Sequence, residues 1–156
     1  MKQKEFSKLL KVGQTEFKNL DIEGDFINEN LNNLVFENCF IVADFTGANL
    51  RNTVFTNCNL KTCIFDYSNL EHSSFNNNSL DGAEFKFAQY NHIAFTDNWS
   101  YGCNFSKTIL EQVIFEGSPG FHIINIHAGW FEIMLVSKEK QSIITASDYL
   151  GNDAPK

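Results

Sequence analysis

Proline is scarce in this chain, at 2 of 156 residues, while phenylalanine is abundant at 16 and asparagine clusters through the middle. That composition argues against a disordered tail and against a coiled coil, and predicts a folded single domain large enough to bury a core without metals or disulfides. No apolar run reaches the roughly 18 residues of a membrane span. The opening MKQKEFSKLLKVGQTEF has neither the apolar core nor the small-residue cleavage site of a secretory signal. The expected location is therefore the cytoplasm, with no membrane partner. Positive charge is also in deficit: 12 Lys and Arg face 19 Asp and Glu, a net charge of −7. Non-specific attraction to phosphate backbones is not expected, so nucleic acid is not an expected partner.

Signatures of chemistry are missing as well. The sequence has no Walker-type glycine loop, GxSxG, HExxH or cysteine–histidine zinc spacing. Of the four cysteines, Cys39, Cys58, Cys63 and Cys103, no two form a CxxC pair. Cys58, Cys63 and Cys103 each stand two residues before a central apolar position or its slot, where neighbouring units carry Ala, Ser or Thr, which predicts small buried free thiols. Neither an enzyme, nor a cofactor, nor a metal site is expected.

What is present is a period of five. From Ala43 to Gly117 the chain divides into fifteen units without an insertion, beginning ADFTG, ANLRN, TVFTN and CNLKT. The first position of each unit is mostly small, and the third is Phe, Leu or Tyr in every unit but the one centred on Ser100. A helix repeats near 3.6 residues and a half-buried strand at 2, so a sustained period of five requires a chain that turns a corner in every unit. Every fourth unit carries like residues: Phe45, Phe65, Phe85 and Phe105; Leu50, Leu70, Tyr90 and Leu110; Phe55, Phe75, Phe95 and Phe115; Leu60, Leu80 and Ser100. Three units per coil would mix Phe with Leu in each column, and two could not enclose a ring, so four units per coil is the natural count. Coils stacked at the strand spacing of ~4.8 Å would pair backbone groups from one coil to the next, with these columns as the interior support.

The triplets ADF at Ala43–Phe45, ANL at Ala48–Leu50, CNL at Cys58–Leu60 and SNL at Ser68–Leu70 resemble the pentapeptide-repeat family. The resemblance implies an all-β, right-handed quadrilateral parallel β-helix. Three segments are expected: an N-terminal arm or cap over 1–16, the β-helix over 17–120 with its strict repeat at 43–117, and a capping hairpin and tail over 121–156. Upstream, Phe26, Leu31 and Phe36 keep the register and the next step is only four, to Phe40, so a distorted coil is expected at Glu37–Phe40, with a further turn reaching back to Phe17 and Ile22. Downstream, Ser118–Gly120 breaks the pattern. Trp130–Val136 and Ser142–Ala146 then flank a polar turn and read as an antiparallel hairpin that either closes the last coil or also joins a second copy, making the C-terminal region the expected site of a homodimer.

Among outward residues, His72 and His92 share a column, but the same column adds only Asn52 and Gln112, short of a third strong metal ligand. Tyr67 and Phe87 share another, while Trp99 and Tyr101 flank Ser100. Trp99 either turns inward to fill the space beside Ser100 or joins an aromatic patch for a protein partner. Asn78 and Asn98 are expected to stack inward as an amide pair. Two functions remain open. One is a neutral scaffold that binds an unidentified protein through Tyr67, Phe87, Trp99 and Tyr101. The other is implied by the family resemblance: an acidic DNA mimic that binds DNA gyrase and confers quinolone or toxin resistance, using acids such as Asp97 and Glu116. A mimic of B-form DNA needs about three negative charges per ~4.8 Å coil. Between Ala43 and Gly117 there are eight acids and four bases, and no column gathers them into a stripe. Ice binding by a threonine ladder fails because the Thr46 column continues Asp66, Lys86, Ser106.

Overall fold

The structure is a computed structural model that describes residues 1–105, 107, 108 and 113–117, and the backbone of 132–136 and 141–145. Among the described residues the elements are one helix, α1 (Gln3–Lys11), and ten strands: β1 (Glu16–Lys18), β2 (Asp21–Asp25), β3 (Val35–Glu37), β4 (Phe40–Asp44), β5 (Val54–Thr56), β6 (Ser74–Asn76), β7 (Ile93–Thr96), β8 (Val113–Glu116), β9 (Glu132–Val136) and β10 (Gln141–Thr145). The protein is mostly β and winds as a parallel β-solenoid of about five turns. Strands β1, β3, β5, β6, β7 and β8 pair in parallel up one side, in the register Phe17, Phe36, Phe55, Phe75, Phe95, Phe115. β9 continues that sheet in parallel with β8, and β10 pairs antiparallel with β9, the hairpin that the sequence indicated.

Four sides make one coil, and each side turns its central residue inward. The first side presents Phe26, Phe45, Phe65, Phe85 and Phe105; the second Leu31, Leu50, Leu70 and Tyr90; the third the β1–β8 column; and the fourth Ile22, Ile41, Leu60, Leu80 and Ser100, all buried. Leu110 lies outside the described residues. Within a column the rings stack, with Phe45–Phe65 at 5.1 Å, Phe65–Phe85 at 4.9 Å and Phe85–Phe105 at 4.7 Å between centroids. Across the interior, rings of the first and third sides meet edge to face, Phe65–Phe75 at 5.7 Å and 89°. This is the favoured arrangement of two ring quadrupoles, and it gives the alternation of Phe and Leu a reason: opposite Phe sides meet in the middle and Leu fills the flanks.

The corners account for the asparagines. The fifth residue of a unit takes a left-handed backbone, with φ between 54° and 60° at Asn52, Asn57, Thr62, Tyr67, His72, Asn77, Phe87, His92, Asp97 and Lys107. Asn enters this region more cheaply than most side chains because its short amide bonds locally. Gly47 holds such a corner where an added Cβ would stand 2.2 Å from Asn28 Oδ1.

One expectation needs correction, and one open choice is decided. The short step does not fall at Phe40, which points outward and is about half exposed, but between Ile41, which is buried, and Phe45. The first two coils share this shortening. Phe17 pairs with Phe36, Ile22 with Ile41, and Asp25 with Asp44, so β2 and β4 run straight through what is a corner at Thr62 in the next coil. Trp99 does not turn inward; it is 52% exposed. Opposite Ser100, the column of leucines carries the larger Tyr90 instead, whose ring lies 6.2 Å from Phe105 and whose hydroxyl donates to the Phe85 carbonyl at 3.2 Å. One side chain grows where the facing one shrinks. Ser100→Leu alone should therefore overpack the coil and cost about 1–3 kcal/mol, and adding Tyr90→Leu should recover most of that loss in a urea titration.

The two buried amides inside the tube are accounted for by stacking. Asn78 Oδ1 accepts from the Cys58 backbone N–H at 2.8 Å and its Nδ2 donates to the Phe55 carbonyl at 3.0 Å. Asn98 repeats the arrangement one coil on, to the Asn78 N–H and the Phe75 carbonyl. The two amides thus bridge coils through backbone groups.

At the N-terminal end α1 lies over the open tube. Its one fully buried residue, Phe6, lies 4.5 Å from the Phe17 ring, 5.1 Å from Phe26 and 6.0 Å from Phe36. Ahead of the helix, Met1 and Lys2 extend the edge of β2: the Glu23 N–H donates to the Met1 carbonyl at 3.0 Å, and Lys2 pairs with Glu23. Met1, Lys2 and Phe6 thus lie against the first coil.

Candidate functional site

The corner after the first side carries Gly47, Tyr67, Phe87 and Lys107 in successive coils. The Tyr67 and Phe87 rings stack at 4.7 Å and 9°, and the Lys107 ammonium stands 5.1 Å from the Phe87 centroid. Exposure falls along the stack, from 57% at Tyr67 to 38% at Phe87. Both residues hold φ near 57°, a conformation that costs bulky side chains energy and that Asn or Gly would adopt more easily. Two adjacent coils therefore place large rings where the fold favours small residues.

Trp99 and Tyr101 form a second pair, 6.3 Å apart on the fourth side. The structure does not merge the two pairs into one patch: the first side, with Asp66, Glu84 and Lys86 facing out, lies between them. Asp97 occupies the corner before Trp99, its backbone N–H bonded to the Glu116 carbonyl at 2.7 Å. It lies on the opposite edge of the fourth side from the Tyr67 corner, so the six candidate partner residues are dispersed over three places. Two further outward residues escaped the sequence reading, Phe40 and Val42 on β4, each about half exposed. The signal was present: placing Ile41 rather than Phe40 in the column makes the 36–45 spacing repeat that of 17–26.

Electrostatics tie coils together. Arg51 pairs with Glu71, Lys61 with Asp81 at 2.9 Å, and Lys86 with both Asp66 at 3.3 Å and Glu84 at 3.4 Å. The Asp66 hydrogen bond, the Asp66 charge and Glu84 raise the Lys86 pKa. The His72 and His92 rings lie 5.1 Å apart and tilted by 31°, with His72 Nε2 3.5 Å from Glu71 Oε1. Among the described residues no three His, Cys, Asp or Glu side chains gather as metal ligands. All four cysteines are buried and unbridged. Burial pushes the Cys63 and Cys103 thiols up to about 12. The neighbouring Cys58 thiol lowers the Cys39 pKa, while Cys39 and burial raise that of Cys58. At 2% exposure each, neither thiol of that pair meets a substrate.

A family model for pentapeptide repeats, eight copies in length, matches residues 43–77, on the stretch where the corner aromatics begin. Residues 43–77 thus carry pentapeptide repeats, and the solenoid is of the kind seen in pentapeptide-repeat proteins. Among solved pentapeptide-repeat structures, Rfr23 from the cyanobacterium Cyanothece 51142 is 13% identical, covering 87% of this chain and 95% of its own, with a TM-score of 0.51. Full-length QnrB1, a plasmid-mediated fluoroquinolone resistance protein, is 16% identical over 66% of this chain and 68% of its own, with a TM-score of 0.46. HetL, involved in heterocyst differentiation regulation in the cyanobacterium Nostoc sp. strain PCC 7120, is 10% identical over 74% and 84%, with a TM-score of 0.23. A search of curated proteins finds no match. At 13% identity and a TM-score of 0.51, Rfr23 speaks for the fold alone. The family is generally non-catalytic. No described helix is long and apolar enough to cross a membrane. Much of the C-terminal region to which the sequence reading assigned a homodimer lies outside the described residues.

Proposed function

We propose that this pentapeptide-repeat protein is a non-catalytic, rigid protein–protein interaction scaffold whose recognition edge is the Tyr67–Phe87 column. The observation that carries this reading is the pairing of strain with exposure: two bulky rings occupy left-handed corners, stacked and facing solvent. Strained, exposed positions of this kind concentrate at binding sites, and aromatics supply interface hot spots. A right-handed, four-sided β-helix closed by the β9–β10 hairpin belongs to the same proposal, as does a cytoplasmic location. Parallel pairing of β9 with β8 supports the closing role of the hairpin.

The DNA-mimic reading, with DNA gyrase as partner, is the weaker one. Asp66, Glu71, Asp81 and Glu84 are held by Lys or Arg, which spends the carboxylates a mimic would present. Asn is the informative replacement at the two corners because it takes the same backbone without strain. Tyr67→Asn/Phe87→Asn should keep wild-type stability to within about 0.5 kcal/mol, yet capture a cross-linked partner from the protein's native cells at least tenfold less well. Equal capture by wild type and variant would end the scaffold reading. Inhibition or protection of gyrase supercoiling by the wild type, lost on Asp97→Lys/Glu116→Lys, would establish the mimic in its place.

A further inference from the structure

Above the β2 row of Asp21 and Glu23, where Glu23 is paired with Lys2, the next four rows of the fourth side are symmetric about their own midline. Their outward positions run, coil by coil, Phe40 and Val42, then Asn59 and Lys61, then Ser79 and Asp81, then Trp99 and Tyr101, with bridges Phe40–Asn59, Asn59–Ser79 and Ser79–Trp99 setting the rows. Phe40, Val42, Trp99 and Tyr101 are each about half exposed. Apolar rows thus bound a polar middle, and that middle holds one base and one acid, Lys61 and Asp81, in the same column and 2.9 Å apart.

A two-fold axis lying in this surface, along the strands and between the two middle rows, reverses the order of the rows. Phe40 of one copy then lies over Trp99 of the other, Val42 over Tyr101, Asn59 over Ser79, and Lys61 over Asp81. Each of these four rows meets a complement: apolar on apolar, amide on hydroxyl, base on acid. The two ion pairs close into an alternating square of four charges around the axis. An isologous contact demands this self-complementarity, which a random surface lacks.

We propose that the fourth side is a homodimer interface in which two tubes pack face to face and antiparallel. The occupant is a second copy, because only the chain's own row order, inverted, supplies the matching sequence of apolar, positive, negative and apolar groups. The outer rows lie three coil spacings apart, about 14 Å. A patch of that height falls short of the roughly 800 Å² per partner of a standard interface, so the dimer is weak and reversible. This surface is separate from the Tyr67–Phe87 edge, and either can fail without the other.

Sedimentation velocity over a concentration series tests it with charge variants. Wild type should shift toward dimer mass as concentration rises into the hundreds of micromolar, and Tyr67→Asn should do the same. Lys61→Asp sets two acids over two acids, and Asp81→Lys two bases over two bases, so each should associate at least tenfold more weakly than wild type. An equimolar mixture of the two restores base over acid at both positions and should recover wild-type association as a heterodimer. Phe40→Ser/Trp99→Ser should stay monomeric, with circular dichroism confirming the fold. A wild type that remains monomeric throughout, single charge variants that associate like wild type, or a mixture no stronger than its components would each overturn the proposal.

Discussion

Phe65→Ala is expected to lower the unfolding free energy by about 3–5 kcal/mol, the range for removing a fully buried aromatic ring. The ring is inaccessible to solvent and has neighbours on four sides: Phe45 at 5.1 Å and Phe85 at 4.9 Å in its own column, and Phe55 at 6.1 Å and Phe75 at 5.7 Å across the interior. The inter-coil backbone bonds that surround it hold the tube wall in place, so the wall cannot collapse into the space left behind. Most of the cavity cost should therefore be felt. Phe65→Asp goes further, since a carboxylate there has only rings for company and no hydrogen-bond donor is provided; no folded population is expected. Equilibrium urea unfolding measures the first and far-ultraviolet circular dichroism the second. A loss below about 1 kcal/mol for Phe65→Ala would mean that the ring does not occupy the stack. Tyr67→Asn, two residues away but outward, is the internal comparison, expected to be near neutral.

The second large effect is at the N-terminal end. Phe6→Ala removes the ring that α1 inserts among Phe17, Phe26 and Phe36, again about 3–5 kcal/mol of local packing. A solenoid is held by contacts between neighbouring coils, so this loss should be spent where it occurs. Hydrogen exchange is the appropriate measurement. In the variant, amides of β1 and β2 should lose protection first and by several orders of magnitude, while those of β6 and β7 keep most of theirs. Uniform loss along the chain would instead mean that the helix acts on global stability and that the coils are not energetically separable. Phe6 is the one fully buried residue of its helix, so replacing exposed Lys4 or Lys8 should change neither pattern.

Much of this architecture was legible because a tube must repeat itself. Phe45, Phe65, Phe85 and Phe105 could be assigned to one column from spacing alone, since twenty residues return the chain to the same side. The asparagine excess was visible but unexplained until the corners showed left-handed backbone at nearly every fifth residue. The first coils were less legible. Phe40 and Ile41 are adjacent apolar residues, and only the straight run of β4 decides which faces inward. The N-terminal helix carries a single buried aromatic, too little periodicity to distinguish a plug from a loose arm.

The candidate site was legible in part. That Tyr67 and Phe87 share a column followed from their separation, but not that their rings stack or that Lys107 completes the column. Trp99 was open between inward and outward because Ser100 left a space. The structure resolves it through Tyr90, a residue ten positions away on the facing side, which no local pattern connects to Ser100.

By itself the sequence determined the five-residue repeat, the count of four units per coil and the identity of the interior columns. Each of these follows from one-dimensional periodicity imposed by backbone pairing between identical coils. Only the tertiary structure decided the inward partner of Ser100, the position of the short step, the insertion of Phe6 and the ion pairs that occupy the acids. These depend on distances across the tube and around its corners, where residues remote in sequence compete for one volume or one charge, and no repeat spacing encodes the winner.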